Sequence, residues 1–214
     1  MDAQTLNNKS PDASVAATYF SPEDYLLNTL QRAVANNQDI LVSSGNLGSL
    51  TVMSSRGEYF TDSPDLPALL CQSPDNCRVR ILDTGDDRTP PDSRIGRNID
   101  ELMWQVAFYV SDGRLMEGCN QADVIQLDYW PNLTRLPHTQ NSFRILALLS
   151  KHPTSVFFAS RLLKVPASEI YQIYSAAKAA GLGRAINRKA EEPSLAPHRS
   201  QSLLSSLLKK IARF

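Results

Sequence analysis

The stretch Phe143 to Gly183, FRILALLSKHPTSVFFASRLLKVPASEIYQIYSAAKAAGLG, decides how the rest of the chain is read. It predicts three short helices with tight joints. Phe143, Ile145, Leu146, Leu148 and Leu149 make the first almost wholly apolar, and it stops at His152-Pro153 because proline disfavours helical geometry in the residue before it. Thr154 or Ser155 is placed to cap the second helix, which carries Val156, Phe157, Ala159, Leu162 and Leu163 and ends at Val165-Pro166. Ala167 or Ser168 opens the third. Its residues Ile170, Ile173, Tyr174, Ala177 and Ala180 recur at helical spacing on one face. Gly181 is placed to end it in a left-handed cap.

This pattern resembles the winged-helix form of the helix-turn-helix. Ala159 matches the small residue that lets the helices approach, Val165 the residue that closes the turn, and Ile170 the anchor of the recognition helix. Tyr174, Ala177 and Gly181-Leu182 match the positions that follow. The resemblance implies a recognition helix over residues 167–180 and, for a DNA-binding member, action as a dimer. Two departures stand beside it. The turn Leu163-Lys164-Val165 lacks the usual glycine. Residues 183–192 are poor strand material, which predicts a short or missing wing. Outward positions of the third helix include Ser168, Glu169, Tyr171, Gln172, Ser175, Ala176, Lys178 and Ala179. Of these only Gln172 and Lys178 are suited to reading bases. The helix is therefore expected to pack on protein, with nucleic acid as the alternative.

The chain has 214 residues, enough for one large domain or two small ones. Its net charge is zero but unevenly divided. Residues 1–140 hold 10 Lys/Arg and 19 Asp/Glu, whereas residues 141–214 hold 12 Lys/Arg and 3 Asp/Glu. A basic C-terminal part meets either an external anion or the chain's own acidic half. The three cysteines, Cys71, Cys77 and Cys119, form neither a disulfide framework nor a zinc pattern. The N-terminus has no apolar signal core and no run of ~18 apolar residues occurs, so a reduced, cytoplasmic setting is expected.

Residues 1–19 read as a disordered lead. Ser21-Pro22 then opens a helix to about Asn37, with Phe20 and Tyr25 spaced as a hydrophobic staple. Strand-like runs follow at Ile40-Leu41-Val42, Leu50 to Met53 and Glu58-Tyr59-Phe60, with a hairpin turn at Arg56-Gly57. Leu66 to Cys71 reads as a short helix. Cys77, Val79 and Ile81 alternate with Arg78 and Arg80, as in a half-buried strand. Residues 84–96 read as a flexible acidic loop, since Asp83, Asp86 and Asp87 lack the spacing of a calcium loop. Asp100 to Val110 predicts an amphipathic helix, and residues 124–130 a further strand. Trp130 is expected to pack between domains, with an exposed recognition role as the alternative. Gly45-Asn46-Leu47-Gly48 reads as hairpin punctuation, because no Gly-Lys-Ser/Thr follows it. His138, His152 and His198 sit beside prolines, away from any nucleophile, so no catalytic residue is assigned.

After a polar linker at 191–199, Ser200 to Phe214 carries Leu203, Leu204, Leu207, Leu208, Ile211 and Phe214 on one face. Lys209, Lys210 and Arg213 lie opposite. A helix of ~15 residues is marginal alone. This docking helix either folds back on its own domain, enters a partner's groove or rests on an anionic membrane surface.

The expected fold is α+β: residues 20–130 as a small mixed domain with a mainly antiparallel sheet, residues 131–190 as a winged-helix-like domain, and a terminal amphipathic helix. The expected function is a non-enzymatic cytoplasmic regulatory adaptor with no cofactor and no metal. It binds a protein partner through Ser168, Tyr171, Gln172, Ser175, Lys178, Arg184, Arg188 and Lys189 together with the docking helix. A DNA-binding regulator using the same residues is the alternative.

Overall fold

The computed structural model describes residues 17–187, apart from Thr84 and Asp92. Its elements in chain order are β1 (Tyr19–Phe20), α1 (Leu26–Ala35), β2 (Ile40–Ser44), β3 (Gly48–Met53), β4 (Glu58–Thr61), α2 (Leu66–Leu70), β5 (Arg78–Ile81), β6 (Arg97–Asn98), α3 (Ile99–Ser111), β7 (Leu115–Met116), β8 (Val124–Leu127), α4 (Ser142–Lys151), β9 (Thr154–Ser155), α5 (Val156–Leu163), α6 (Ala167–Ala179) and β10 (Gly183–Ala185). The α+β class expected from the sequence is the one observed. Tyr19, placed in the disordered lead by its composition, instead forms β1, which pairs in parallel with β7.

The main sheet has the order β5-β2-β3-β4-β6 and is antiparallel throughout. Alternation sends Ile40, Val42, Leu50, Val52 and Tyr59 into the core. Leu41, Met53 and Phe60 form a small second cluster with Leu82 on the other face. The acidic loop lies over that second cluster. Arg94 stacks on Phe60 at 5.1 Å, Arg56 donates to the carbonyls of Pro90 and Arg94, and Asp86 pairs with Arg80 at 2.7 Å. Two local expectations change. Ser21 makes no side-chain cap; Pro22–Asp24 is a 3-10 turn and α1 starts only after Tyr25, although Phe20 and Tyr25 do meet edge to face. β5 is not half-buried: Val79 and Ile81 are 40% and 55% exposed, because β5 is the edge strand of the sheet.

One apolar core runs without a break from Phe20 to Ala180, across the expected boundary at residue 130. Its centre is α3, buried nearly all round, with Leu102, Trp104, Val106 and Ala107 fully enclosed. α3 packs on α1, α2 and α6. Trp104 donates its indole N–H to the Pro137 carbonyl, and Gln105 donates to the Tyr59 hydroxyl.

The second sheet has the order β10-β8-β9 and is antiparallel. β9 lies between α4 and α5, and β10 follows α6. The central strand comes from upstream: β8, which the sequence suggested for the N-terminal domain, pairs Ile125 with both Thr154 and Ala185. β10, in a stretch expected to be poor strand material, thus finds its partner in β8.

Candidate docking surface

α5 begins at Ser155, whose hydroxyl caps the Phe158 N–H, as its sequence suggests. It has eight residues and two apolar faces. Val156 and Ala159 are buried, and Ala159 has the small side chain that lets α6 lie close. Phe157, Phe158 and Leu162 point outward, each slightly more than half exposed, and Phe143 on α4 is similarly exposed. The turn, which lacks the usual glycine, is made by Lys164 in the left-handed region, at φ 54. The Val165 N–H closes on the Ser160 carbonyl, and the Ser160 hydroxyl donates back to the Val165 carbonyl at 2.7 Å.

Cations rim this surface. The Arg161 guanidinium lies over the Phe157 ring at 4.4 Å. Arg144 donates to the Leu163 carbonyl at 2.8 Å and to the Asn141 side chain at 3.2 Å, tying the start of α4 to the end of α5. Lys151 and Lys164 are exposed, and no Asp or Glu occurs between Asn141 and Ser168. His138 meets Phe143 edge to face at 6.1 Å. Tyr129 and Trp130 are a separate exposed aromatic pair; Trp130 is half exposed rather than enclosed in packing.

α6 is placed otherwise than its sequence suggests. Tyr171 and Ser175, expected on the outer face, are buried, as is Ala176. The Ser175 hydroxyl accepts from the Met116 N–H at 3.1 Å. Gln172 donates to the Phe108 carbonyl at 2.9 Å, so its amide is used within the chain. Lys178 donates to the Gly118 carbonyl and to the Cys119 sulfur. Ser168 is exposed but lies beside Gly113. The reason is α3 and β7: together they cover the α6 face that would otherwise meet solvent, and a helix enclosed on both sides cannot be told from an amphipathic one by apolar spacing alone. Arg184 is exposed, with Asp128 3.4 Å away. Arg188, Lys189 and the terminal apolar face of Leu203, Leu204, Leu207, Leu208, Ile211 and Phe214 lie outside the described residues.

A buried polar lock holds this arrangement. The Asp123 carboxylate accepts from the Tyr174 hydroxyl, the Asn187 amide and the Asn120 N–H, each at 2.8 Å. Burial acts to raise the Asp123 pKa, but these donors outweigh it and hold the carboxyl below its usual 3.8. Burial pushes the Tyr174 hydroxyl up, and donation to Asp123 adds to this, keeping it neutral. Burial also raises the Cys119 thiol, against the opposing pull of Lys178. The lock joins α6, β10 and the start of β8.

Among the described residues, no group of three or more His, Cys, Asp or Glu is placed to hold a metal, and no helix is long and apolar enough to cross a membrane. Comparison with known protein families, with curated proteins and with solved structures found no match.

Proposed function

We propose that this chain is a non-enzymatic regulatory adaptor and that the outer face of α4 and α5 docks a partner protein. The partner segment is apolar and flanked by acidic residues. The observation that carries this reading is the exposed set Phe143, Phe157, Phe158 and Leu162 within a cationic rim. Exposed apolar surface of this kind marks interaction sites when it is contiguous, and aromatic and arginine side chains dominate binding energy at such sites. Engagement of Tyr171, Gln172 and Ser175 inside the chain favours protein over base reading for a domain of winged-helix type. The terminal segment, with its apolar face of Leu203 to Phe214, supplies a second docking element.

The test uses the full chain and a Phe158→Ser/Leu162→Ser variant. Because both positions are exposed, the variant is expected to unfold at the wild-type denaturant concentration and to lose a partner that wild type binds in a salt-sensitive manner. An unchanged partner set, or tight binding of the wild type to random duplex DNA that collapses with salt, rejects the reading.

A further inference from the structure

A second surface, separate from α4 and α5, lies at the free edge of the main sheet. Among the described residues, β5 pairs with β2 on one side only. The Leu82 N–H bonds to the Asp39 carbonyl, and the register continues as Leu41 opposite Arg80 and Ser43 opposite Arg78. In an antiparallel pair, residues that exchange hydrogen bonds alternate with residues that do not. Leu82, Arg80 and Arg78 therefore turn their backbone groups toward β2. Val79 and Ile81 turn theirs outward, where no strand among the described residues accepts them. The same two residues hold their side chains on the α1 side of the sheet, 40% and 55% exposed. Between them and α1 runs a groove of about 180 Å³ lined by Thr29, Arg32, Ala33, Asn36, Val79 and Ile81.

We propose that this edge binds an extended segment of another protein by strand addition, and that the segment alternates apolar and acidic residues. Its apolar side chains lie over Val79 and Ile81 in the groove beside α1. Its acidic side chains lie on the opposite face of the sheet, across from Arg78 and Arg80. Strand addition gains affinity from main-chain hydrogen bonds and specificity from alternate side chains. Charge selects this occupant. Opposite charges across a strand pair stabilise it and like charges oppose it. A second copy paired through β5 about Val79 or Arg80 sets arginine opposite arginine, so the arginines keep the edge from self-association while leaving it open to an acidic strand. Arg80 shares its charge with Asp86 in the loop, which leaves Arg78 as the stronger selector.

The experiment reads amide hydrogen exchange in the full chain, with and without synthetic eight-residue capped peptides at millimolar concentration. In the free chain, Val79 and Ile81 exchange fast and Arg80 slowly. A peptide alternating valine and glutamate is expected to protect Val79 and Ile81. The same peptide with lysine for glutamate, or with a central proline that removes an N–H, gives no protection. Arg78→Glu is expected to weaken the valine–glutamate peptide by about fivefold, the scale of one cross-strand pair reversed in sign, without altering the unfolding midpoint. Absence of protection at Val79 and Ile81, or equal protection by the lysine peptide, overturns the proposal. Protection that rises with protein concentration and no peptide also overturns it, in favour of a second copy. None of these outcomes touches α4 or α5, so the docking reading given above stands or falls by its own variant.

Discussion

α5 and α6 are neighbours joined by one turn, and they treat their apolar residues in opposite ways. α5 has more large apolar side chains than one inward face can use, so Phe157, Phe158 and Leu162 remain outside. α6 has small and polar residues on its second face, yet Tyr171, Ser175 and Ala176 are enclosed there, because α3 and β7 both pack on α6 and the Met116 N–H reaches the Ser175 hydroxyl. Hydrophobicity alone does not decide burial. Burial needs a neighbouring element to supply cover, and cover depends on contacts between residues far apart in sequence. Exposure on these two helices is set by where α3 and β7 are absent, rather than by which helix is the more polar.

The largest expected effect separates the two helices directly. Ile173→Ala in α6, at a fully enclosed position, should cost about 2–5 kcal/mol of stability in a denaturant titration. Leu162→Ala in α5 should stay within about 0.5 kcal/mol of wild type, as for exposed positions in general. Comparable losses for the two variants would mean that α5 is covered as well.

A second effect sharpens the contrast through pH, since Asp123 and Tyr174 bind α6 to the sheet through a buried carboxylate. The carboxyl of Asp123 is depressed below 3.8 in the folded chain. Such a group contributes stability above its unfolded pKa and loses it as pH falls through the folded value. The unfolding midpoint should therefore drop as the pH is lowered below 3.8. Asp123→Asn should be less stable at neutral pH and show a shallower acid decline. A parallel decline in both proteins would assign the acid sensitivity elsewhere.

The smallest effects concern the two left-handed residues that end these helices. Gly181, at φ 68, completes a paired closure in which its own N–H bonds to the Lys178 carbonyl and the Leu182 N–H to the Ala177 carbonyl. A Cβ at Gly181 meets nothing within 4 Å, so Gly181→Ala should cost only the backbone strain, about 1 kcal/mol. Lys164→Gly should change stability by less than about 0.5 kcal/mol, because relief of left-handed strain is offset by the greater freedom of glycine in the unfolded chain. Calorimetric midpoints at one pH distinguish these outcomes.

Much of the fold could be read from local chemistry. The proline stops at Pro153 and Pro166, the Ser155 cap, the Gly181 closure and the alternation in β2 to β4 all act within a few residues of where they occur. The candidate surfaces were less legible. Phe157 and Leu162 read as ordinary apolar helix positions, and an eight-residue helix is too short for spacing to separate two apolar faces. Trp130, expected in packing with exposure only as the alternative, is half exposed, and the exposure of Val79 and Ile81 depends on β5 being last in the sheet. Strand order is a long-range property, so the alternation that correctly marked β5 as a strand could not say that its inner face lay uncovered.

By itself the sequence determined the α+β class, the helical units from Ser142 to Ala179 and the cationic character of their surroundings, because caps, prolines, glycines and periodicity act locally. Only the tertiary structure decided that β8 joins β9 and β10, that one core spans both parts of the chain, and that α3 and β7 close over α6 while, among the described residues, the outer face of α5 and the edge of β5 remain exposed. Each of those outcomes rests on burial against a distant partner, and burial is a property of pairs of surfaces that no single stretch of chain carries alone.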